Sequence, residues 1–65
     1  MKPAQIDLRD VGATLEIETK VKSRPIRGVM REIEHRGGVT RVILEGAWGR
    51  KQHILTDKDE VHVSD

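Results

Sequence analysis

Three histidines, His35, His53 and His62, carry the side chains of this sequence whose ordinary pKa lies nearest neutrality, and Asp57 and Asp59 stand close to two of them along the chain. These are the first residues to test for metal or acid–base chemistry. A hydrolytic zinc site sets two histidines four apart on one helical face, and none of the three has that spacing. Ser23 and Ser64 lie in no nucleophile-elbow context, and no glycine segment has phosphate-loop spacing. Cysteine is absent, so a thiolate nucleophile, a thiolate zinc knuckle and a disulfide framework are all excluded. The expectation is a protein without catalysis, metal or cofactor.

What remains is charge and one large ring. The formal net charge of +1 hides a segregation along the chain. Residues 1–19 hold two cations against four acids, a net −2; residues 20–51 hold nine against three, a net +6; residues 52–65 hold one against four, a net −3. The basic block is internal. It interleaves its charges with Val21, Ile26, Val29, Met30, Ile33, Val42, Ile43 and Leu44, as folded strands do and a disordered polybasic arm does not. Trp48, the one aromatic residue, sits between Gly46 and Gly49 and is followed by Arg50 and Lys51. A ring so placed is suited to stacking on an unpaired base, and cations around it to neutralising phosphates.

The elements that must position these residues follow from a period of two. Ala13 to Lys22 puts Leu15, Ile17, Thr19 and Val21 on one face and Thr14, Glu16, Glu18, Lys20 and Lys22 on the other, a half-buried strand. Ser23, Arg24 and Pro25 interrupt it, and a second strand runs from Ile26 to His35. Gly37 and Gly38 are suited to a primed hairpin turn, which places Ile33 opposite Val42, Glu34 opposite Arg41 and His35 opposite Thr40. Ile26 and Met30 belong to the opposite phase from Ile33, so the second strand needs a bulge or bend between Gly28 and Arg31. A third strand spans Val39 to Glu45, and a five-residue loop from Gly46 to Arg50 leads to a short strand over Lys51 to Thr56 with Ile54 opposite Val42. Asp57, Lys58 and Asp59 form a turn before a last strand, Glu60 to Val63. Pro3 to Val11 suits either a short helix or an extended lead-in. The expected core is Leu15, Ile17, Val21, Ile33, Val42, Leu44 and Ile54.

At 65 residues the chain is one small domain, residues 13–65, behind a lead-in of residues 1–12. With one aromatic and no cysteine, its core is built from aliphatic side chains alone. No apolar run approaches the roughly 18 residues of a membrane span, and together with the lack of cysteine this predicts a soluble, cytoplasmic protein. The fold class expected is mainly β: a small, strongly bent antiparallel SH3-like barrel of about five short strands.

The run Arg24, Pro25, Ile26, Arg27, Gly28, Val29, Met30 resembles the second strand of Sm-like proteins, in which an apolar residue precedes a glycine in a bent strand. The resemblance implies the barrel. It does not extend to the uridine pocket or the ring, because Glu34, His35, Arg36 and Gly37 stand where that family carries its RNA-contacting Asp and Asn, and the family's Gly-rich second motif is absent. Chromo, Tudor and KOW-type domains are similar at the same architectural level, but one tryptophan cannot build the aromatic cage of the first two.

Two functions follow from these residues. The leading one is nucleic-acid binding, DNA or RNA, through a basic face made of Lys20, Lys22, Arg24, Arg27, Arg41, Arg50 and Lys51 with Trp48 beside it. The alternative is a protein-interaction module, an adaptor, an inhibitor of a larger complex or a homo-oligomer, that uses exposed strand edges and the apolar Ile43 opposite Glu32. In that reading Trp48 anchors an interface.

Overall fold

The computed structural model describes residues 1–18 and 25–64. Five strands, β1 (Thr14–Glu18), β2 (Ile26–Arg36), β3 (Val39–Gly46), β4 (Gly49–Leu55) and β5 (Glu60–Ser64), form one antiparallel sheet in the order β4-β3-β2-β1-β5. The mainly β class is as expected; among the described residues no ladder closes β4 onto β5. The lead-in is neither an α-helix nor extended. It makes two 3-10 turns, Pro3–Gln5 and Leu8–Asp10, the second capped by the Asp7 carboxylate, which accepts from the Arg9 amide at 3.0 Å. No helix among the described residues is long and apolar enough to cross a membrane.

The β2–β3 hairpin has the expected register. Gly37 and Gly38 take φ values of +54° and +82°, the pair of positive angles that a primed turn needs. Ile33 faces Val42, Glu34 faces Arg41 and His35 faces Thr40. The phase change falls between Met30 and Glu32, so Arg31 is the extra residue of a β-bulge and both Met30 and Ile33 point inward. Met30 is fully buried opposite Leu44, while Ile33 packs against the core from a half-buried position.

The β3–β4 connection corrects the sequence reading. Gly46 pairs with Gly49, so the loop is only Ala47 and Trp48, and Val42 faces His53 instead of Ile54. Ala47 and Trp48 keep negative φ, and the left-handed conformation falls on Gly49, at φ +95°. One residue of slip turns every β4 side chain to the other face. Ile54 is therefore 54% exposed and not a core residue, and Leu55 takes its place at 4%.

The buried core is Ile6, Leu15, Ile17, Met30, Val42, Leu44, Leu55 and Val61. Every strand contributes to one face of a single sheet, and only the 3-10 turns are available to cover it. The sheet must therefore curl around its own side chains. Ile6, from the lead-in, closes one end. His35 holds it there: its Nε2 donates to the Ile6 carbonyl at 2.7 Å, which leaves Nδ1 to accept from the Thr40 hydroxyl at 2.9 Å. Val21, the remaining expected core residue, lies outside the described residues.

Candidate functional site

The outward side of the sheet is where most of the described cations of β2, β3 and β4 go, and there they meet acids. Arg41 Nε donates to Glu34 at 2.9 Å across the hairpin and its Nη1 to Gln52 at 3.2 Å. Glu45 lies between two guanidinium groups, 2.6 Å from Arg31 Nε and 3.5 Å from Arg50 Nε. The hydrogen bonds and charge of Arg41 hold the Glu34 carboxyl below its ordinary range, and Arg31 does the same for Glu45. These cations are already neutralised by neighbours.

The inward side looks different at the end where the sheet opens. Pro25, Ile26, Arg27, Trp48, Lys51 and His53 line a cleft of about 390 Å³. Strand pairing places two glycines beneath it, because Gly28 of β2 sits on the same face as Gly46 of β3. The Trp48 indole lies on this bare backbone: a Cβ built on Gly46 would stand 2.8 Å from Trp48 Cε2, and one on Gly28 3.3 Å from Trp48 Cζ2. The ring thus has one face against the sheet and remains 45% exposed. Two side chains are missing where any other residues would have lifted the indole away.

Lys51 and His53 are alternate residues of β4 and share this inward face, opposite Leu44 and Val42. The Lys51 ammonium stands 5.8 Å from the centroid of the Trp48 ring, within the range of a cation–π contact. Lys51 and Arg27 form no ion pair with any described residue. Burial, reinforced by the Lys51 charge, pushes the His53 imidazole below its ordinary pKa and so favours its neutral form. Its Nε2 is shielded from solvent and has no hydrogen-bond partner among the described residues.

Of the expected interface, then, Arg27, Trp48 and Lys51 come together, Arg41 and Arg50 lie on the outer face in ion pairs, and Lys20, Lys22 and Arg24 fall outside the described residues. His53 is the member the sequence reading missed. The signal was the symmetry of Gly46 and Gly49 about two residues, which sets β4 one residue earlier and turns His53 inward. The other histidines are on other strands, His35 bonded to Ile6 and Thr40 and His62 against Glu18. Among the described residues no group of three His, Asp or Glu side chains is placed to hold a metal. No family model, curated protein or solved structure compared with the chain matches it.

Proposed function

We propose that the protein binds single-stranded nucleic acid at the Trp48 cleft. The observation that carries this reading is the indole itself, half exposed on a shelf of glycine backbone, with Lys51 over the ring and Arg27 at the rim of the cleft, neither in an ion pair with a described carboxylate. A flat ring fixed on one side and open on the other stacks on an unpaired base, an interaction that contributes roughly 1 to 3 kcal/mol. Lys51 and Arg27 lie where the flanking phosphates would run, and phosphate neutralisation supplies the sequence-independent part of the affinity. A duplex offers no free base face. The test is quenching of the single tryptophan by single-stranded and duplex oligonucleotides at low and high salt. The expected result is quenching by single strands that weakens as salt rises; no quenching at low salt would remove the reading.

A protein-interaction role draws on a different surface. Ile54, on the edge strand β4, and the half-buried Ile43, diagonal to it on β3, make an apolar spot on the outer face. An edge strand with such a spot can accept a partner's strand. Selective broadening of the Ile43 and Ile54 methyl signals as the protein is concentrated, with Trp48 unaffected, would favour it.

A further inference from the structure

The cleft holds one group that base stacking and phosphate neutralisation do not use. His53 presents a nitrogen that is shielded from water and bonded to nothing among the described residues. A buried polar atom without a partner costs stability, and folded proteins leave few of them. Replacement by an aliphatic residue would remove that cost, since Val42 is the facing residue and Leu55, the next residue on this face toward the core, is apolar. An imidazole kept at a loss beside a stacking platform has a bonding position that none of the described residues fills.

We infer that the cleft reads the base it stacks: one unpaired nucleobase lies on the Trp48 indole, and its hydrogen-bonding edge meets His53 Nε2. This rests on the proposed binding of single strands and adds selectivity to it. The geometry supports the assignment in three ways. Trp48 and His53 line the same cleft, so a ring stacked on one brings its edge toward the other. A neutral imidazole carries one N–H and one lone pair, and can therefore match a ring carbonyl or an exocyclic amine on a base edge, which an aliphatic wall cannot. Lys51 is the next residue on the same face of β4, so the lysine that leaves the indole for a phosphate is also the side chain standing next to the imidazole.

A site built to hydrogen-bond a base edge discriminates against bases lacking the right group, because a mismatch leaves its own buried atom unpaired. The experiment measures affinities for single-stranded homopolymers of the four bases, as DNA and as RNA, by Trp48 quenching at fixed low salt. The DNA and RNA arms separate reading of the base from recognition of the sugar. The wild-type protein should prefer one base over the least favoured by about fivefold or more in both arms. His53→Leu should fold, keep binding within about threefold for the poorest base and lose the preference, while His53→Gln, which retains a donor and an acceptor, should restore part of it. In the wild-type complex the His53 Nε2 nitrogen-15 resonance should shift with the preferred base. Equal affinity for all four bases, a preference confined to RNA or to DNA, or an unchanged preference in His53→Leu would overturn the inference while leaving the stacking site intact. Failure of every oligonucleotide to bind would overturn both.

Discussion

The two sides of the β2–β3–β4 sheet carry similar residues and do opposite things with them. Outside, Arg31, Arg41 and Arg50 are matched to Glu34 and Glu45 within hydrogen-bond or ion-pair distance. Inside the open end, Lys51 borders a cleft lined by no carboxylate, and Arg27, whose position on β2 alternates with the inward Gly28, stands at its rim. The difference comes from strand alternation, which sends neighbouring residues such as Arg50 and Lys51 to opposite sides. A run of positive charge in the sequence is therefore not a positive surface. Exposed ion pairs contribute little to stability, so the outer network serves mainly to cancel charge. What distinguishes the cleft is the lack of such cancellation together with a fixed aromatic face.

The largest effect expected from breaking this contrast is on the sheet that creates it. Leu55→Ala should cost about 2 to 5 kcal/mol by leaving a cavity in the core, whereas Ile54→Ala should stay within about 0.5 kcal/mol. Urea unfolding of the two variants decides the β4 register, and equal costs would mean that the inward and outward sides of β4 are misassigned. Next in size is Gly46→Ala. The added methyl would stand 2.8 Å from Trp48 Cε2, so the indole must lift off its shelf. Because the atom displaced belongs to a side chain, stability should change little; the fluorescence maximum should move to longer wavelength and single-strand affinity should fall about tenfold, the equivalent of roughly 1.4 kcal/mol of stacking.

The charge contrast itself is sharpened by salt. Removing one cation that neutralises a phosphate should flatten the dependence of log affinity on log salt by about one. Lys51→Ala and Arg27→Ala should each show that change, and Arg41→Ala and Arg50→Ala should leave the slope near the wild-type value. A smaller effect is expected from pH. His53 has its folded pKa lowered by burial and by Lys51, so between the ordinary value of about 6.5 and the folded value the unfolded chain binds more protons. Stability is therefore full above that window and lost as pH falls through it. His53→Leu should abolish this loss in thermal melts between pH 7 and pH 5. The lowered carboxyls of Glu34 and Glu45 act in the same direction, but below about pH 4.3, and both are exposed.

Much of the scaffold was legible in the residues themselves. Gly37 and Gly38 announced a primed turn, and that turn fixed the pairing of Ile33, Glu34 and His35 with their partners. The conflict in phase between Met30 and Ile33 demanded a bulge, which is found at Arg31. The site was less legible, for a physical reason. A hairpin's register hangs on its turn, and placing Gly46 to Arg50 in a loop delayed β4 by enough to put Ile54 inside and His53 outside. Nor does composition reveal that Gly28 and Gly46, far apart in the chain, meet beneath Trp48, because that depends on the register of two ladders at once. The anchoring of Ile6 by His35 is equally nonlocal.

The central claim is that ligand is held on the inward side at Trp48 and not on the basic outer face. It is tested most directly by mapping chemical-shift changes as a short single-stranded oligonucleotide is added at low salt. The largest changes are expected at the Trp48 indole N–H, the Gly28 and Gly46 amides, and the side chains of Lys51 and His53, with the Ile43 and Ile54 methyls and the Arg41 Nε–H nearly still. Changes concentrated on Ile43, Ile54 and Arg41, or no change at Trp48 under conditions where the oligonucleotide is bound, would contradict it.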